Sequence, residues 1–202
     1  MPSPLHFHFD FISPYGYLAS LRIESLAARH GRRVEWHAML LGVSVLKVMG
    51  LKPLMETPLK GDYIARDVPR CAREAGVVLG RTPGAAVMNP LPSARAFAWV
   101  RRHHPAQAAA TAHAIYQAYW GEGRDLSTPQ ALQAIDVPGG PSGHALADAA
   151  GSDEAAALLR ADVEASLQAG VFGSPTVVVD GEMFWGLDKL DQLDRWLTRG
   201  GW

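Results

Sequence analysis

Strand signals occur only at the two ends of this chain, and their order is the strongest constraint on its fold. Leu5-His6-Phe7-His8-Phe9 alternates apolar and polar residues, as a half-buried strand does, and Val34-Glu35-Trp36-His37-Ala38-Met39 repeats the pattern. Between them Leu18, Leu21, Ile23 and Leu26 recur at helical spacing, and Gly31 supplies a C-terminal stop. A strand, helix, strand unit with so short a crossover predicts parallel strands and a right-handed connection. Near the other end, Thr176-Val177-Val178-Val179 runs through Asp180-Gly181, a hairpin signal, into Met183-Phe184-Trp185. Leu190, Leu193 and Leu197 then mark a last amphipathic helix.

The long interruption is rich in helix formers and holds no convincing strand. Residues 94–103 and 106–120 suit helices, broken by Pro105. Thr128-Pro129 opens a helix to about Ile135, and Ser152-Asp153-Glu154 opens another, whose Leu159, Val163 and Leu167 share a stripe and which Gly170 stops. A βαβ half, a helical stretch and a ββα half predict an α/β, thioredoxin-like fold with a helical insertion lobe. Residues 1–44 and 170–202 form the thioredoxin-like domain, and residues 45–169 the inserted helical domain.

Bulk properties narrow the function. With 202 residues and 48% hydrophobic content, the chain can bury a full core. Lys plus Arg, 19, nearly balances Asp plus Glu, 20, which argues against nucleic acid and acidic membranes as partners. A single cysteine, Cys71, excludes an intrachain disulfide and suits a reducing compartment. His6, His8 and Asp10 interrupt the first dozen residues, so no signal peptide or membrane span is read there, and a soluble cytoplasmic protein is expected. The eight histidines offer only His6-x-His8 and adjacent His103-His104, two ligands without a third, so no metal is predicted.

The first strand leads into Asp10-Phe11-Ile12-Ser13-Pro14-Tyr15-Gly16-Tyr17, which places a lone serine at a strand-to-helix junction. A thioredoxin-type oxidoreductase needs a Cys-x-x-Cys at that point, because one thiolate attacks and the second resolves the mixed disulfide. Ser13 and Gly16 stand there instead. Any thiol this site uses must arrive with a ligand, which points to glutathione. At the other end Gly173-Ser174-Pro175-Thr176 precedes the Val-rich strand. An ordinary trans turn proline is the default; a cis bond would aim the preceding backbone outward, where an extended ligand can pair with it.

Three groups of residues carry a family likeness: Phe9-Asp10-Phe11-Ile12-Ser13-Pro14-Tyr15; Pro58-Leu59-Lys60-Gly61-Asp62-Tyr63 with Asp67 and Arg70; and 170–176 with Asp180-Gly181-Glu182-Met183-Phe184-Trp185-Gly186-Leu187-Asp188. Spanning nearly the whole chain, they resemble the 2-hydroxychromene-2-carboxylate isomerase family and its relatives, the kappa-class glutathione transferases, in the DsbA-like branch of thioredoxin folds. The resemblance implies that Ser13 donates a hydrogen bond to the sulfur of bound glutathione and favours its thiolate. A free thiol near pKa 8.5 is scarcely ionised at neutral pH, and each unit of depression is worth about 1.4 kcal/mol. It further implies that the backbone at Ser174 and Pro175 pairs with the cysteinyl part, that Asp188 receives the γ-glutamyl amine, and that the amides around Leu187 and Asp188 suit its carboxylate. Lys60 matches a lysine that meets the glycyl carboxylate. The same likeness implies that Asn89 of Asn89-Pro90-Leu91-Pro92 orients a substrate oxygen, and Tyr15, with Tyr17, Met88, Phe172 and Trp185, is expected to build an aromatic and apolar pocket for a flat ligand. Kappa-class relatives carry an asparagine where this chain has Leu51, so one polar contact is lost.

Each role has a plainer alternative. Ser13 suits an N-cap, Asp188 a first-turn acid stabilising a helix dipole, Lys60 a solvated surface charge, and Asn89 a turn opener. The resemblance implies a glutathione-dependent cis-trans isomerase of a small aromatic unsaturated keto acid, in paired subunits. The rivals are a kappa-like transferase that conjugates glutathione to small electrophiles and a cysteine-less thioredoxin-fold binding module.

Overall fold

The computed structural model describes residues 2–202. Strands β1 (Leu5–Phe9) and β2 (Val34–Ala38) flank helix α1 (Pro14–Arg29), which ends at His30 with Gly31 at φ +62°. Strands β3 (Thr176–Val179) and β4 (Glu182–Trp185) form the C-terminal hairpin. Asp180 and Gly181 both take positive φ there, 51° and 85°, as a two-residue turn matched to strand twist requires. The sheet order is β2-β1-β3-β4, with β1 parallel to β2 and antiparallel to β3, and β3 antiparallel to β4.

Register explains the alternating sequence. Trp36, Phe7, Val177 and Phe184 align across all four strands and make one apolar row. Phe7 and Phe9 are fully buried and meet Trp36 edge to face. The opposite face carries His6, His8, Glu35 and His37, which follows from a side-chain period of two.

Between β2 and β3 lie α2 (Lys60–Glu74), α3 (Leu91–His103), α4 (Ala108–Tyr116), α5 (Gly143–Gly151) and α6 (Asp153–Gln168); α7 (Leu190–Arg199) closes the chain. Ser152 caps α6, accepting from the amide of Ala155 at 3.1 Å. Two expected helices differ in detail. After Tyr116 the chain widens into a π turn, Gln117–Gly121, and the segment capped by Thr128 is a 3-10 turn, Pro129–Ala134. A second π turn, Gly42–Val48, follows β2. The helices do not stand apart from the sheet. Phe97 of α3 and Tyr116 of α4 pack on Phe9 and Phe11, so lobe and sheet share one core. Among the described residues no helix is long and apolar enough to cross a membrane.

Candidate active site at the start of the first helix

Ser13 follows the end of β1 and adopts the extended conformation of an N-cap, with Pro14 in the first helical position. Its hydroxyl oxygen accepts from the amide of Gly16 at 3.0 Å and the hydroxyl donates to the carbonyl of Ser174 at 3.1 Å. Ser13 is only 4% exposed. The capping alternative and contact with the Ser174 backbone therefore coexist in one side chain, which ties the two halves of the thioredoxin-like unit together. The peptide bond between Ser174 and Pro175 is cis. The Ser174 hydroxyl oxygen accepts from the amide of Asp10 at 3.0 Å.

Gly16 owes its identity to close packing. A Cβ there would stand 2.6 Å from the Tyr116 hydroxyl oxygen and 2.9 Å from the Ser174 hydroxyl oxygen. No second sulfur enters this position without displacing Tyr116. Cys71 lies on α2, and burial followed by the nearby Asp67 charge raises its thiol above its ordinary value. It is not an activated thiolate.

The β1–α1 turn is braced from beneath. Asp10 is buried, and its carboxylate accepts from the amides of Ile12 at 3.1 Å and Leu41 at 2.7 Å. Burial outweighs those two bonds and pushes its pKa up to about 6. Tyr116 donates to the Asp10 carbonyl at 2.9 Å, and the Trp120 indole nitrogen donates to the Phe11 carbonyl at 2.9 Å. Burial pushes the Tyr116 phenol well above its ordinary value, so it remains a donor.

Antiparallel pairing sets Thr176 opposite Trp185, and the Gly186 amide donates to the Pro175 carbonyl at 2.9 Å. The turn holding Leu187 and Asp188 is thus brought beside the Ser174–Pro175 loop. Leu187 and Asp188 lie in a 3-10 turn, Leu187–Lys189, that precedes α7; Asp188 does not open α7 itself. Its exposed carboxylate lies 3.5 Å from the Lys189 ammonium. Lys60 opens α2 and is exposed. Its helix meets the first turn of α1 further along, where Asp67 of α2 accepts from the Tyr15 hydroxyl at 2.6 Å. Partial burial opposes ionisation of Asp67, but hydrogen bonds from Tyr15, Arg70 and Tyr63 hold its carboxyl below the ordinary value.

Asn89 uses its side-chain oxygen to accept from the Leu91 amide at 3.1 Å, the geometry of a turn opener. Tyr17 and Met88 are core residues, whereas Phe172 and Trp185 form an exposed ring pair 4.8 Å apart, so the five apolar residues line no single pocket. Leu51 is 56% exposed. Two surface clefts, of about 400 and 390 Å³, lie over β4 and α7 and at the outer side of β2, and Ser13 lines neither. Sequence reasoning gave Tyr116, Trp120 and Asp67 no role. The aromatic run 115–120 was the available signal for the first two.

Comparison with known proteins agrees with this architecture. The family described as DSBA-like thioredoxin domain matches residues 5–198. The chain is similar to 2-hydroxychromene-2-carboxylate isomerase of Sphingobium xenophagum, 30% identical over 198 residues that cover 98% of this chain and 99% of that protein. Among solved structures, a selenomethionine 2-hydroxychromene-2-carboxylate isomerase superposes with a TM-score of 0.79 at 27% identity, covering 96% of this chain and 94% of the other. The cytosolic disulfide reductase DsbM from Pseudomonas aeruginosa, in a structure with GSH, shares the fold at a TM-score of 0.60 and 20% identity, covering 97% of this chain and 96% of its own. The chain belongs to the 2-hydroxychromene-2-carboxylate isomerase family of DSBA-like thioredoxin domains, and it is an isomerase.

Proposed function

We propose that the chain is a glutathione-dependent cis-trans isomerase acting on an aromatic unsaturated keto acid. The observation that carries the reading is the hydroxyl of Ser13, placed at the N-terminus of α1 beside the Ser174 carbonyl in a chain without an activated cysteine. The donor set suits glutathione: Lys60 offers an exposed cation for a carboxylate, Asp188 an exposed anion for an ammonium, and Ser13 a hydroxyl for sulfur. When bound, glutathione would supply reversible addition of its thiolate to a conjugated carbon, converting the double bond to one that rotates, and would leave unchanged.

The chain's own contribution is to favour the anion and hold it in place. The Ser13 hydrogen, resting on the Ser174 carbonyl in the free protein, turns to the sulfur, while the Gly16 amide keeps the hydroxyl oxygen fixed. The helix dipole of α1 adds partial positive charge at the same point, although Pro14 offers no N–H there and the Gly16 amide is already taken by the Ser13 hydroxyl oxygen.

Ser13→Gly separates chemistry from capping, because glycine at an N-cap costs only a few tenths of a kcal/mol, whereas alanine costs about 1 kcal/mol. Isomerisation of 2-hydroxychromene-2-carboxylate is expected only in the presence of glutathione, and Ser13→Gly is expected to slow it about a hundredfold while lowering Tm less than Ser13→Ala, since both lose the bond to the Ser174 carbonyl and only alanine adds the full capping cost. Equal rates with and without glutathione would overturn the mechanism. A Ser13→Gly enzyme with full activity would leave Ser13 as a cap alone.

A further inference from the structure

His6, Glu35 and His37 project from one face of β1 and β2, where the parallel register sets His6 against Glu35 and His8 against His37. Nδ1 of His6 lies 3.0 Å from Nε2 of His37 and 3.4 Å from Oε2 of Glu35. One ligand atom from each of the three residues falls within 4.8 Å of those of the other two. Around a tetrahedral ion with bonds of about 2.0 to 2.1 Å, neighbouring ligand atoms stand about 3.3 Å apart. We propose that this trio is a binding site for one divalent transition-metal ion of the zinc type, with the fourth position left to solvent.

Two imidazoles and one carboxylate are a donor set such an ion accepts readily. The surroundings hold the ligands in place. Arg33 engages Oε1 of Glu35 and leaves Oε2 turned to His6, and the ring of His8 stacks on His37 at 4.8 Å with 19° between planes. His8 stands outside the trio, and its Nδ1 lies 2.9 Å from the Ser166 hydroxyl oxygen. The side chains of His6 and Glu35 are 39% and 34% exposed, which gives an ion its approach.

Arg101 opposes the ion. Its Nη1 stands 3.3 Å from Nδ1 of His37, and a guanidinium can only donate. A metal on Nε2 requires the proton on Nδ1, so ion and Arg101 demand opposite tautomers of His37. Binding must displace this contact, while Asp162, the other partner of Arg101, remains to hold the guanidinium.

The test is calorimetric titration of Zn2+ into tag-free full-length protein stripped of metal by a chelator, with the visible spectrum of added Co2+ as a second readout. One ion per chain is expected, at a dissociation constant of about 10 µM or tighter. His6→Gln and Glu35→Gln alter half-exposed side chains and should each weaken binding at least about tenfold and abolish the four-coordinate Co2+ bands. Arg101→Gln should tighten binding. Absence of saturable binding overturns the assignment, as does equal affinity in His6→Gln and Glu35→Gln, which would put the ion on other histidines. Binding that weakens or stays constant in Arg101→Gln overturns the role given to His37 Nε2. None of these readouts depends on glutathione or on isomerase activity.

Discussion

Asp10 shows how one residue sets the geometry of the site at a cost. Its carboxylate ties the Ile12 amide, just ahead of Ser13, to the Leu41 amide beyond β2, and its burial raises its pKa to about 6. A carboxyl whose folded pKa lies above its unfolded value of 3.8 contributes stability that is fully present below that value and is lost as pH rises through about 6. The rise from 3.8 to about 6 corresponds to about 3 kcal/mol at most. In urea unfolding across that range, wild type should therefore lose stability relative to Asp10→Asn as pH rises from about 4 to about 7. Parallel stability curves for the two proteins would refute the burial argument. Ser13, Ser174 and Pro175 stood out in the sequence because each breaks a local rule, a thiol position without sulfur and a proline at a strand's mouth. Asp67 stood out only as one of the residues that carry the family likeness and had no role of its own, because its partner Tyr15 is 52 positions away.

At the scale of elements, what was legible depended on local signals. Both strand pairs, α1 and α7 announce themselves by alternation, by an Asp-Gly turn or by an apolar stripe, and they lie where those signals put them. Helix α2 gives no such notice. Leu59 precedes it without a capping bond, at φ 68°, and Pro69 sits inside it. The π turn after α4 is equally silent, since a widened turn uses the same residues as a regular one. Yet it delivers Trp120 to the Phe11 carbonyl one turn beyond Tyr116, which serves the Asp10 carbonyl. The two bonds differ in what their loss leaves behind. The Asp10 carbonyl also accepts from the Ser13 amide at 3.0 Å, so Tyr116→Phe should cost only about 1 kcal/mol. Trp120→Phe leaves the Phe11 carbonyl without its indole partner and opens space in the core, and should cost about 2 to 4 kcal/mol. Chemical denaturation of both variants decides it; equal losses would mean that the indole hydrogen bond adds nothing to the brace.

For the whole molecule, the helical segment between β2 and β3 reads as a separate body in sequence because its composition changes so sharply from that of the strands. Packing makes the relation closer. Phe97 is fully buried and meets Phe9 and Phe11 at ring distances of 5.1 and 6.1 Å, so the last residue of β1 and the turn that leads to Ser13 are roofed by α3. Without the lobe those phenylalanines would face water, and without the sheet so would Phe97, each at about 1.5 to 3 kcal/mol. The two parts should therefore unfold together. Phe97→Ala is expected to remove about 3 to 5 kcal/mol and to lower one shared transition, whether followed by the fluorescence of Trp36 in the sheet or of Trp120 in the lobe, each kept as the sole tryptophan. If the lobe's signal moved while the sheet's stayed in place, the core would be two cores, and the brace beneath Ser13 would no longer be coupled to the helices that cover it.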